Sequence, residues 1–117
     1  MSDEERAMLG WSVLVDARTP EERDEADDES SHLLAKWEAR VSGLDFLDVL
    51  VRQGKAKKLL SGGYPERYTA KASDFLPLIA RRPPGTMGPH SEVNLYPDRI
   101  AACSPDQVLT IDAWDLS

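Results

Sequence analysis

Cysteine and histidine are few in this 117-residue chain: one cysteine, Cys103, and two histidines, His32 and His90. Covalent catalysis needs a nucleophile with a base in reach. Cys103 and His90 share the C-terminal half, but the small neighbours in "RIAACSPD" predict a buried, inert thiol rather than an activated one. A zinc site would need several His or Cys ligands at characteristic spacings, which this set does not supply. His32 follows Asp28 and Glu29 where the acidic stretch meets the apolar one, and reads as a solvated histidine. "DEADDES" has the oxygens of a calcium loop but neither the turning glycine nor the twelfth-position glutamate. "SGGYPERY" has two glycines but no phosphate-loop lysine and no following helix, so it reads as a tight turn. Carboxylates such as Asp112 and Asp115 lie scattered at strand ends, without the burial that separates the pKa values of a catalytic pair. The expectation is a protein that is not an enzyme and uses no cofactor and no metal.

One stretch stands out. "TPEERDEADDES" places Glu21, Glu22, Asp24, Glu25, Asp27, Asp28 and Glu29 against the single base Arg23. Acids in the first turn of a helix interact well with its dipole, which accounts for Glu21, Glu22 and Asp24. Further along, Glu21–Glu25, Asp24–Asp28 and Glu25–Glu29 are like-charged neighbours at i,i+4, each costing roughly 0.2–0.5 kcal/mol. The run is therefore either a solvated helix end, a docking surface for a basic partner, or a site for a small cation.

Composition narrows the class. A charged fraction of 30%, a hydrophobic fraction of 41% and a net charge of −7 describe one globular domain over residues 1–117, with residues 1–9 loose. Such a polyanion does not suit nucleic acid or an anionic membrane; its best basic cluster, Arg52, Lys55, Lys57 and Lys58, is short and lacks interleaved aromatics. No apolar stretch approaches the length of a bilayer span, and the N-terminus is acidic where a secretory signal is basic. With one cysteine, the chain reads as cytoplasmic.

The elements that must position these residues follow from periodicity. "WSVLVDA" alternates with Trp11, Val13, Val15 and Ala17 on one face, a strand. Thr19, Pro20 and Glu22 form a capping box, and the spacing of Ala26, Leu33, Leu34, Trp37 and Val41 predicts one helix from 19 to 41, anchored by Trp37. "SGLDFLDVLVRQG" predicts a second helix, capped by Ser42 and stopped at Gly54. "KAKKLL" and "RYTAKA" around "SGGYPE" read as a hairpin, with helix continuation through Leu60 as the alternative. "DFLPLIARR" reads as a short helix capped by Ser73, "RRPPGTMGPH" as an irregular loop, and "SEVNLY", "RIAAC" and "QVLTIDAWDL" as strands separated by turns at Pro97-Asp98 and Ser104-Pro105-Asp106. The fold class expected is α+β, a single domain with a mainly antiparallel sheet and two to three helices packed on one face.

The functional expectation is an acidic protein-binding module, an inhibitor or immunity/antitoxin-type protein that neutralises a basic toxin or enzyme, acting as a monomer or small homo-oligomer. Its partner surface would comprise Asp24, Glu25, Asp27, Asp28 and Glu29, with Tyr64, Tyr68, Met87 and Tyr96 as aromatic and apolar anchors. Two alternatives stand beside it. One is a small ligand-binding domain or enzyme with a pocket beside the Arg81–His90 loop, where Arg81, Arg82 and His90 meet an anion. The other is an assembly subunit with Trp11 and Trp114 at an oligomer interface.

Overall fold

The computed structural model describes residues 10–25, 32–86 and 92–116. Its elements run β1 (Trp11–Asp16), α1 (Pro20–Glu25), β2 (Leu33–Ala39), α2 (Asp45–Arg52), β3 (Ala56–Leu60), β4 (Glu66–Lys71), α3 (Ala72–Ile79), β5 (Val93–Leu95), α4 (Pro97–Ala101) and β6 (Val108–Asp115). The strands form one six-stranded sheet in the order β3-β4-β6-β1-β2-β5, and every pairing is antiparallel. This is the α+β fold expected from the sequence.

Alternation decides the two faces. In register, Val13 lies opposite Trp37 on β2 and Ala113 on β6, Val15 opposite Ala35 and Ile111, and Ile111 opposite Tyr68. These side chains are 0–1% exposed. With Leu47 and Leu50 of α2, and Phe75, Leu76 and Ile79 of α3, they build one core, and Ile100 of α4 packs against it. The rings of Phe46 and Phe75 stack at 6.0 Å, tying α2 to α3. Three helices thus cover this face, while α1 buries no residue and reaches the opposite face through its polar side chains.

Several local signals act as the sequence predicts. The backbone N–H of Thr19 donates to Glu22 Oε1 at 3.0 Å and the N–H of Glu22 to Thr19 Oγ1 at 3.4 Å, a capping box at the start of α1. At the end of α2, Gly54 at φ +76° lets its own N–H bond the Val51 carbonyl and the N–H of Lys55 bond the Leu50 carbonyl. That pair of bonds closes the helix. Residues 56–60 are a strand, so the hairpin reading holds over helix continuation.

Three expectations fail. The helix predicted from 19 to 41 covers only Pro20–Glu25 among the described residues, and Leu33–Ala39 is strand β2. Leu33 and Trp37 of the stripe that suggested a helix also share a period of two, which Ala35 and Ala39 complete. Ala35, Trp37 and Ala39 are buried, Lys36 and Glu38 face the other way, and pairing to β1 and β5 on both sides outweighs helix propensity. "RIAAC" is not a strand: Pro97, read as a turn residue, occupies the first position of α4. Neither serine expected as a cap serves as one: Leu44 holds the N-cap position of α2 and Lys71 that of α3, each with no side-chain bond, and Ser73 lies inside α3.

Candidate functional site

The face of the sheet away from α2, α3 and α4 carries the charged residues that matter most. Asp16, Arg67 and Asp112 are only 3%, 9% and 4% exposed. Each occupies the polar phase of its strand, so the alternation that buries Val15, Tyr68 and Ile111 on one side puts these three on the other. Arg67 and Asp112 are directly opposite across the β4–β6 ladder. Arg67 Nε donates to Asp112 Oδ1 at 2.7 Å and Nη2 to Oδ2 at 3.1 Å, a bidentate pair. Its remaining branch, Nη1, donates to Asp24 Oδ2 of α1 at 2.9 Å. The Arg67 guanidinium is thereby held more firmly protonated than usual, first by Asp112 and then by Asp24. In return the hydrogen bond from Arg67 keeps the Asp24 carboxyl below the ordinary carboxylate range.

A second arm ties down the segment before α1. Asp16 accepts from Arg18 through Nε at 2.9 Å, Nη2 at 2.8 Å and the backbone N–H at 2.8 Å, and Arg23 Nε lies 3.5 Å from its Oδ2. Thr110 Oγ1 donates to the Arg18 carbonyl and Gln107 Nε2 to the Ala17 carbonyl, each at 2.8 Å. The start of the acidic run is therefore seated on the sheet, with Arg23 beside Asp16 of β1 and Asp24 bonded to Arg67 of β4, and Glu21, Glu22 and Glu25 are left exposed. Glu22 is also held below the ordinary carboxylate range, chiefly by the backbone N–H of Thr19.

The sequence-predicted surface residues fall in different places. Glu25 is exposed, and Asp24 is exposed but engaged by Arg67. Asp27, Asp28, Glu29 and Met87 lie outside the described residues. Tyr64, 69% exposed, sits in the β3–β4 turn, and Tyr96 is half-buried beyond β5 at the far edge of the sheet. The Tyr96 ring lies under the Arg99 guanidinium at 4.4 Å, and its backbone N–H bonds Leu34. Tyr64 and Tyr96 therefore do not share a patch.

Tyr68 is a correction: it is 0% exposed and cannot anchor a partner. Its ring belongs to the core, because its strand phase matches that of Ile111 opposite it. Its hydroxyl lies 3.3 Å from both Asp48 of α2 and Glu66, and burial, with those two carboxylates, pushes its pKa well above that of a free tyrosine. Lys58 completes the cluster, 3.0 Å from Glu66 and 5.6 Å from the centre of the Tyr68 ring.

Of the residues that suggested the alternatives, the structure describes some and not others. Arg81 and Arg82 are exposed, and Arg82 Nε bonds Thr86 within its own loop at 2.9 Å; His90 lies outside the described residues. Trp11 and Trp114 point to opposite faces, since Trp114 pairs with Ser12 and Trp11 with Asp115. Burial raises the pKa of the Cys103 thiol, which donates to the Arg99 carbonyl at 3.5 Å, so it is a poor nucleophile.

Sequence reasoning missed Arg67, Asp16 and Asp112 as a unit. A charged residue at the polar phase of a strand reads as solvent-facing, and only strand order places Arg67 beside Asp112. The one available hint was Asp112, the lone charge inside "LTIDAW". No helix among the described residues is long and apolar enough to cross a membrane. Family models, curated proteins and solved structures yield no match to this chain.

Proposed function

We propose that this chain is a protein-binding module of the inhibitor or immunity type, which docks a basic partner protein through the acidic face of α1 and the acids that follow it. The observation that carries this reading is the anchoring of α1. A helix end kept only for solubility needs no fixed position. Here Asp24 is bonded to Arg67 and Arg23 lies beside Asp16, so Glu21, Glu22 and Glu25 project from a seated element. Acids held in place lose less freedom on binding than a loose tail, and their field accelerates encounter with a cationic surface.

The test separates docking acids from structural ones. Glu21, Glu25, Asp27, Asp28 and Glu29 are changed to Gln or Asn, leaving Asp24 to Arg67 and Glu22 to its cap. Wild type and variant then serve as paired baits in cytoplasm from the native host. A basic protein retained by wild type and lost from the variant supports the reading. Identical captures on both baits, or no basic protein on either, overturn it.

A further inference from the structure

Strand β3 is an edge of the sheet, and its burial is confined to Ala56; the other four residues are exposed. The opposite edge, β5, has three residues and runs directly into the Pro97 helix, which leaves little strand to extend. Beside β3, a cavity of about 340 Å³ is lined by Lys55, Lys57, Thr69, Lys71, Asp74 and Val108, among others. Lys57 lies opposite Thr69, and Lys71 opposite Val108, so the wall is built by register across β3, β4 and β6. Three lysines and one acid, Asp74, belong to that lining, in a chain whose net charge is −7. Lys71 comes only within 4.0 Å of Asp106, with both side chains largely exposed, a contact of little energetic weight. Lys58, on the other face of β3, is already neutralised by Glu66.

Lysines on an edge oppose pairing with a second copy of the same strand, because like charges then face each other across the ladder. The same lysines favour a strand of opposite charge. We propose that the outer edge of β3 takes up an extended acidic segment of a partner protein as an added strand, with a carboxylate side chain seated between Lys55, Lys57 and Lys71. Main-chain hydrogen bonds supply affinity in this mode, and the pocket for an alternate side chain supplies selectivity. Leu59 and Leu60, 48% and 46% exposed, add apolar contact along the strand. This surface is distinct from α1 and does not rest on the reading given for it.

The full isotope-labelled chain is titrated with a synthetic peptide of alternating Glu and Val, with a Lys–Val peptide and inorganic phosphate as separate arms. The acidic peptide should shift the backbone amides of residues 56–60 and slow their exchange. Lys55→Gln with Lys57→Gln should weaken its binding roughly tenfold, and added salt should do the same. Both substitutions are at exposed positions, and an unchanged circular dichroism spectrum verifies the fold. Several results would overturn the proposal: amides of β3 unmoved by the acidic peptide, or an equal response to the Lys–Val peptide. It also fails if phosphate alone reproduces the shifts without slowing exchange, since the cavity then holds free anions. Slowed exchange of β3 that rises with protein concentration before any peptide is added would assign the edge to a second copy instead.

Discussion

Asp24 and Arg67, 43 residues apart in the chain, are joined by a hydrogen bond of 2.9 Å that links the acidic helix to the second strand of the sheet. Arg67 in turn grips Asp112 on the neighbouring strand, so one guanidinium holds together a helix and two strands. Two adjacent acids of the same run thereby have unlike roles: Asp24 is structural, and Glu25 is exposed with no such partner.

That contrast is measurable. Asp24→Asn should cost about 0.5–1 kcal/mol, because the pair is partly exposed and Arg67 keeps Asp112. Glu25→Gln should cost nothing and can stabilise slightly as repulsion from Glu21 is relieved. Urea unfolding of the two variants under identical conditions checks this. Equal effects would mean that Asp24 is not anchored.

Removing the guanidinium itself should be far more damaging. Arg67→Met leaves Asp112 charged, buried and unpaired, which should cost about 3–5 kcal/mol. It should also release α1, seen as faster amide exchange at residues 20–25. Arg67→Lys should rescue only part of the loss, since an ammonium cannot form the two-pronged contact with Asp112.

Acid should loosen the same region first. The folded-state pKa values of Asp24 and Glu22 are depressed, so both groups bind protons more readily in the unfolded chain. Their contribution is complete above the ordinary carboxylate range and is lost as pH falls through their lower folded values, below about pH 4. Amide exchange at residues 20–25 followed across that range should accelerate before the core strands do. A simultaneous loss everywhere would show that α1 is not a separate unit.

The alkaline side depends on Tyr68. Its folded pKa is raised by burial and by Asp48 and Glu66, so its contribution is present below the unfolded tyrosine value and lost as pH climbs above about 10. Tyr68→Phe should therefore flatten the alkaline fall in stability relative to wild type. A curve of unchanged slope would mean that the hydroxyl is solvated.

Trp37 tests the reassignment of residues 33–39. It is 1% exposed, and Trp37→Ala should cost about 3–5 kcal/mol. Trp37→Phe should cost much less, because the indole N–H meets no acceptor among the described residues. A loss below about 1 kcal/mol for the alanine variant would contradict a buried strand position.

What the sequence by itself determined is what neighbours in the chain decide. The capping box of Thr19 and Glu22, the stop at Gly54, the hairpin around Gly62 and Gly63, and the alternation of 11–16 and 108–114 are all set by residues a few positions apart. Their signals survive because nothing distant opposes them. Residues 33–39 are different: Leu33 and Trp37 fit either period, and pairing to β1 on one side and β5 on the other made them a strand. The same pairing fixed which face each residue took, sending Tyr68 into the core and Arg67 to the side where α1 lies. Asp24 read as one acid among seven until Arg67 came within reach, and a contact across 43 residues leaves no trace in local pattern. Local chemistry chose the turns and caps; strand order, which only the folded chain possesses, chose the partners.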